Sequence, residues 1–382
     1  MHPGLADGPI YLDYNATTPV DPRVVAAMSP WLTHGFGNPS STHVYGARAR
    51  AAVDTARGQL ADLIGASAER IVFTGSGSEA DHLAVRGVVL ADPRPRRHVI
   101  TQVTEHPAVL AACAELSELP DVAVTVLPVD ADGLVDPDDV ARAITADTAL
   151  VTVMHANNET GVRQPVREIV RIAHARGVPV HCDAAQSVGK VDVDVRDLGV
   201  DLLTVVGHKM YAPKGVAALS VADGVPLRRV VGGGGQEGGL RAGTENVAAI
   251  VGLGRAAELA GDALRSGESA RLGELTGRLE RRLRERLPGR VRITAGSAPR
   301  LPSTLSVGID GVGALDLLAR LPGVAASAGS ACHAGQDRPS PVLTAMGLPA
   351  ERALGVIRLS VGRWTTPDEV DRAAALIATA AG

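Results

Sequence analysis

The chain has 382 residues, of which 45% are hydrophobic, 21% charged and 2% aromatic, with a formal net charge of -4. That balance provides neither the basic footprint nor the stacking platform of a nucleic-acid binder, and no apolar run reaches the length of a membrane span. MHPGLADGPI at the amino terminus lacks the basic segment and apolar core of a signal peptide, so the expected compartment is the cytoplasm and the expected ligand is a small molecule.

From about residue 48 helical and strand patterns alternate. Ala49, Val53, Ala56, Leu60, Leu63 and Ile64 recur at helical spacing, and IVFT (71–74) reads as a short buried strand. A helix from about Ser78 leads to HVITQV (98–103), a helix opened by Pro107, VAVTVL (122–127), a helix after DPDD, and ALVTVMH (149–155). PVREIVRIAHARG (165–177) starts with proline and ends with glycine, the asymmetry expected of helix ends, and runs into VPVHCD (178–183). LLTVV (202–206) is one more strand.

Strands this apolar on both faces, alternating with helices, predict an α/β fold whose mostly parallel sheet is covered by helices in a large cofactor domain. Ligands of such sheets bind at the carboxyl ends of the strands. After VVGGGGQEGG (230–239) the order changes: helices near 244–262 and 268–288, then short strands around 303–309 and 356–360, predict a smaller α+β domain. The expected division is a large domain over 15–262 and a small one built from 1–14 and 263–382, carrying a mobile cysteine loop at 327–341.

Cysteines and lysines are few enough to weigh singly. Cys113, Cys182 and Cys332 show no CxxC spacing, which argues against a disulfide framework and a structural zinc site, so no metal is expected. GSACHAGQDRPSP (329–341) is too rich in glycine and proline to hold helix or strand, and a thiol on such a surface loop reads as reactive rather than packed. Lys190, Lys209 and Lys214 are the only lysines. Lys214, beside Pro213 and Gly215, reads as surface charge, whereas Lys209 follows a buried strand directly, where a desolvated amine serves as a nucleophile.

Two more stretches bear on ligand chemistry. In FTGSGSEADHL (73–83), Gly75, Gly77 and Ala80 fit G-x-G-x-x-A at a strand-to-helix turn. The pattern suits a dinucleotide or any phosphate, and Ser76 with Glu79 equally suits a helix cap. In VHCDAAQSVGK (180–190), alternation puts Cys182 in the core and Asp183 on the opposite face, where a buried carboxylate needs a cationic partner. A phosphate cradle at Gly77 and Ser78, an acid at Asp183 and an amine at Lys209 together suit pyridoxal 5'-phosphate, whereas a nicotinamide cofactor needs no such lysine.

These segments, with YLDYNATTP (11–19), FGNPSS (36–41), TEH (104–106), HANNETG (155–161), RAGTEN (241–246), GSAC and IRLSVGRWTT (357–366), resemble the cysteine desulfurases, pyridoxal phosphate enzymes of the class V aminotransferase group with fold type I. The histidine after Cys332, PSPVL (339–343) and VVGHK are most similar to the selenocysteine lyase branch. The resemblance implies that Lys209 is the Schiff-base lysine, Asp183 the partner of the pyridinium nitrogen and Gln186 that of the ring hydroxyl. His106 would stack on the ring and carry a proton. Gly77, Ser78 and His208 would hold the phosphate, joined by Thr244 from the neighbouring subunit of a homodimer. Arg358 and Asn158 would orient the substrate carboxylate, and Cys332 would take the sulfur of L-cysteine as a persulfide, or act on L-selenocysteine, before transfer to an acceptor protein such as an iron–sulfur cluster scaffold. Three positions depart from the family pattern: Ser78 stands for threonine, Val206 for a phosphate-binding serine and Gly238 for an arginine.

Overall fold

Branched apolar residues become strands where the alternation of patterns puts them. The computed structural model describes residues 2–329 and 338–382, so Cys332 and its neighbour His333 lie outside the described residues. A seven-stranded sheet runs in the spatial order Ile71–Thr74, Ala217–Val221, Leu202–Val206, Val180–Asp183, Thr148–Thr152, Arg97–Gln102 and Val122–Leu127. Five of its strands pair in parallel, while Ala217–Val221 runs antiparallel to both its neighbours. The fold is thus α/β with a mostly parallel sheet, as expected.

Both faces of the sheet are covered. On one, Leu150, Leu202 and Leu219 pack with Leu83 and Val85 of the helix Gly77–Ala91 and Val109 and Cys113 of the helix Pro107–Ser117. On the other, Val151, Cys182, Leu203 and Val205 meet the helices Val44–Ile64, Val166–His174 and Val247–Arg265. Cys182 is fully buried, as its place in the alternation requires. Burial on both sides removes the polar face that would otherwise mark a strand.

Among the elements that escaped the sequence reading, three did so for identifiable physical reasons. AALSV at Ala217–Val221 is alanine-rich and is held by ladder bonds to both neighbours rather than by strand propensity. The helix Pro22–Thr33 contains Pro30, which breaks the periodic signal. Pro341, inside the stretch read as unable to form a helix, occupies the first turn of Pro341–Ala345, where no amide donor is needed, and Ser340 caps that helix.

A second sheet, Val291–Ile293, Thr304–Ile309 and Val356–Ser360, is antiparallel with the longest strand central. Leu275, Leu279 and Leu283 of Glu268–Arg286 and Val370 and Ile377 of Pro367–Ala381 pack on it, and Ile10 and Leu12 join the same core. Among the described residues no helix is long and apolar enough to cross a membrane, and no cluster of three potential metal ligands occurs.

Candidate active site

The carboxyl ends of two adjacent strands deliver the main chemistry. Leu202–Val206 passes into a single 3-10 turn, Gly207–Lys209, which leaves Lys209 at the sheet edge. A side chain at Gly207 would meet the Val216 carbonyl oxygen at 2.8 Å, so only glycine allows this turn its close approach. Lys209 Nζ donates to the carbonyl oxygens of Asn15 (2.7 Å) and Ala16 (2.9 Å).

Next to it, Val180–Asp183 ends on the buried Asp183, whose Oδ1 accepts from the Ala185 amide at 2.9 Å. Burial raises the Asp183 carboxyl above its usual range, while that amide and the charges of His106 and Lys209 pull it down. Two further carboxyls lie in the same region. Burial, then the charge of Asp183, pushes Glu105 up to about 8 and raises Asp81 well above the usual range. Glu105 therefore favours the protonated form at neutral pH and Asp81 is shifted the same way, while Asp183 is the one of the three pulled back by the Ala185 amide and the Lys209 charge.

His106 caps the helix Pro107–Ser117 by accepting the Ala108 amide at Nδ1 (3.2 Å). That bond leaves the proton of the neutral ring on Nε2, and burial lowers the ring's basicity further. His208 is paired through Nδ1 with the Thr17 hydroxyl at 3.0 Å and is pushed down to about 4, first by burial and then by Lys209. It is neutral at physiological pH.

Ser76 does cap the helix Gly77–Ala91, accepting from the Glu79 amide at 3.1 Å, so the capping reading of this stretch holds. Glu79 itself reaches back to the Gly75 amide (2.9 Å) and to Arg241. Capping does not exclude a phosphate, because the cap uses the Glu79 amide and leaves the first turn at Gly77 and Ser78 on the cavity wall. A Cβ at Gly77 would lie 2.5 Å from Val206 Cγ2, so this wall requires glycine opposite valine.

One cavity of about 640 Å³ gathers Gly77, Ser78, His106, Asn158, Asp183, Gln186, His208, Lys209 and Arg358. Arg358 is almost wholly buried, donating to the Asn158 carbonyl (3.0 Å), Asp13 Oδ1 (2.7 Å) and Ser327 Oγ (3.3 Å). Thr244 is exposed and does not line this cavity. Lys214 is exposed at the rim, in keeping with surface charge.

Sequence reasoning about single residues missed Asn15, Lys190, Asp81 and Glu105. Asn15 and Glu105 lie in YLDYNATTP and TEH, segments that carry the family resemblance, so their signal is present in the sequence without a role attached. Lys190, left unassigned, is 6% exposed and donates from Nζ to Gln186 Oε1 (2.8 Å) and Asn15 Oδ1 (3.1 Å).

This donor set fits pyridoxal phosphate. A buried carboxylate meets a ring nitrogen, a helix amino terminus with a glycine cradle meets a phosphate, and an amine at the cavity edge meets an aldehyde. The comparisons agree. The aminotransferase class-V family matches residues 10–373. A cysteine desulfurase of Trichormus azollae is 47% identical over 368 residues, covering 95% of this chain and 90% of that one. The cysteine desulfurase IscS of Dictyoglomus turgidum is 42% identical over 364 residues, covering 95% and 92%. Among solved structures, a NifS-like protein superposes with a TM-score of 0.89 at 35% identity, covering 97% of this chain and 98% of that one. SspA in complex with cysteine gives 0.82 at 36% identity, covering 93% and 99%. With fold, cavity and likeness over nearly its whole length in agreement, the chain belongs to the aminotransferase class-V family as a pyridoxal phosphate-dependent cysteine desulfurase.

Proposed function

We propose that this enzyme converts L-cysteine to L-alanine by taking the substrate's sulfur onto Cys332, and that the residues assigned from the sequence carry the reaction in the roles given there. The observation that carries this reading is the convergence of Lys209, Asp183, Gln186, His106 and Arg358 on one cavity. Bound there, pyridoxal phosphate supplies a carbonyl that amines condense with and a ring that accepts the electrons released at an α-carbon.

The protein's own groups do the rest. Asp183 holds the proton of the ring nitrogen, while the Gly77 and Ser78 turn and His208 hold the phosphate. Lys209 would hold the cofactor through its amine and would be the base that takes the proton from the substrate's α-carbon. His106, neutral with its proton on Nε2, stacks on the ring and carries a proton. Arg358 meets the substrate carboxylate through its guanidinium, with Asn158 beside it.

Several finer features belong to the same reading. A homodimer brings Thr244 to the neighbouring site; its support is the exposed pair Phe36 and Tyr45, stacked at 5.2 Å, with Leu32 and Val44 exposed nearby. The large unit spans 15–262 and the small unit 1–14 with 263–382, supported by the separate core that Ile10 and Leu12 share with the carboxyl-terminal helices. The enzyme works in the cytoplasm, where its thiols stay reduced, and passes its persulfide sulfur to an acceptor protein. Likeness at PSPVL and VVGHK supports a second reading, selenocysteine lyase, with selenium leaving in place of sulfur.

Alanine release from L-cysteine and from L-selenocysteine, each with a reductant, tests both readings in the wild type and Cys332→Ala. Release from L-cysteine that disappears in the variant is expected. Turnover of L-selenocysteine alone replaces the first reading by the second, and equal turnover of L-cysteine by both proteins removes Cys332 from the mechanism.

A further inference from the structure

Lys190 is a buried amine without a role in the reaction as described. Its two hydrogen-bond acceptors, Gln186 Oε1 at 2.8 Å and Asn15 Oδ1 at 3.1 Å, are neutral amide oxygens. Burial lowers its basicity well below that of a free lysine, and the nearby cations Lys209 and Arg358 lower it further. A buried amine so surrounded gains little for stability, since an apolar side chain of the same length would be easier to desolvate.

Its effect on its neighbours is directional. A primary amide has an oxygen end that accepts and a nitrogen end that donates, and the two ends occupy similar space. A lysine ammonium donates only, so each amide facing it turns its oxygen inward. Gln186 accordingly keeps Oε1 on Lys190 and directs Nε2 to the Asn15 carbonyl at 3.0 Å, where Lys209 Nζ also donates. Asn15 keeps Oδ1 on Lys190 and directs Nδ2 to Thr304 Oγ1 (2.9 Å) and the Asn158 carbonyl (3.2 Å). With Lys190 absent, only the Asn15 carbonyl, already shared with Lys209, is left to distinguish the donating end of Gln186 from its accepting end.

We propose that Lys190 is a positioning residue that sets the Gln186 amide with its NH2 group available to the cofactor's ring hydroxyl, acting on the cofactor through Gln186. The inference rests on the assignment of Gln186 to that hydroxyl. The donating-only constraint belongs to the protonated amine: an unprotonated one still donates through its N–H bonds, but its lone pair also accepts.

A double-mutant cycle on the holoenzyme tests it: wild type, Lys190→Met, Gln186→Ala and the double variant, read by the cofactor dissociation constant and the visible absorbance band of bound cofactor. Lys190→Met is expected to weaken cofactor binding about 3- to 10-fold, the range of one hydrogen bond, and to move the band. Added to Gln186→Ala it is expected to do neither. Equal effects of Lys190→Met in both backgrounds, or no effect in either, overturn the inference while leaving the cofactor site intact. A wild type without the band overturns the cofactor site and this inference with it. If Lys190→Met does not accumulate as folded protein, the same cycle with Lys190→Gln decides: its side chain can also accept, so loss confined to the Gln186 background supports the proposal and equal loss in both overturns it.

Discussion

Lys209 Nζ and Gln186 Nε2 donate to the same atom, the carbonyl oxygen of Asn15, at 2.7 and 3.0 Å. One peptide group near the start of the chain thus holds both the amine proposed to attach the cofactor and the amide proposed for its ring hydroxyl. Because the acceptor is backbone, it survives any substitution of the Asn15 side chain.

Lys209→Ala removes the amine while leaving the carbonyl and Gln186 in place. Alanine release is expected to fall by about 10³-fold, within the range for losing a general base, and the yellow colour of covalently held cofactor is expected to vanish. Absorbance of the purified variant and an alanine assay check both.

Asp183→Asn separates binding from folding. Removing one partner of a buried ion pair costs about 3–5 kcal/mol, so cofactor affinity is expected to drop about 10²- to 10⁴-fold. Without cofactor the sign reverses, because the variant relieves the burial of a carboxylate beside Glu105 and Asp81. Thermal unfolding with and without cofactor is expected to show Tm lowered in the first case and raised in the second.

Glu105 makes the cofactor-free protein sensitive to base. Its folded-state pKa of about 8 lies above the ordinary 4.5. Its contribution is therefore complete below pH 4.5 and is lost as pH rises towards 8, at roughly 1.4 kcal/mol per pH unit for one group. Glu105→Gln cannot lose a proton, so its urea midpoint is expected to fall less between pH 5 and pH 8 than that of the wild type.

Arg358→Lys keeps a positive charge but gives up the fork that spans Asp13, the Asn158 carbonyl and Ser327. The KM for L-cysteine is expected to rise about 10- to 100-fold, a loss of one to two charged hydrogen bonds, with a smaller change in kcat. Steady-state kinetics distinguish this from a loss confined to kcat.

Val206→Ser restores the hydroxyl found at this place in much of the family. Val206 is nearly buried and faces the Gly77 turn. One added hydrogen bond to the phosphate is expected to tighten cofactor binding about 3- to 10-fold, measured by titration. No change would place the phosphate out of reach of residue 206.

Much of this protein was legible in its sequence because the informative signals are local. Apolar runs such as LLTVV and IVFT specify buried strands, Pro107 and Pro165 mark helix starts, and GHK and VHCD each place a reactive group at a strand end. Gly238 shows the same economy: φ of +64° at that position favours glycine, so the departure from arginine suits the backbone. Strand Ala217–Val221 was not legible, since its alanines carry no period and only its two neighbours make it a strand.

The amino-acid sequence by itself determined the parallel sheet, the cofactor class and the residues placed around it, because hydrophobic period and strand-end chemistry are written in neighbouring residues. Only the tertiary structure decided how Asn15 closes on Lys209, Gln186 and Lys190, and that burial pushes the Glu105 carboxyl up to about 8. Those properties come from groups far apart in the chain, through burial and through distances that spacing along the sequence does not encode.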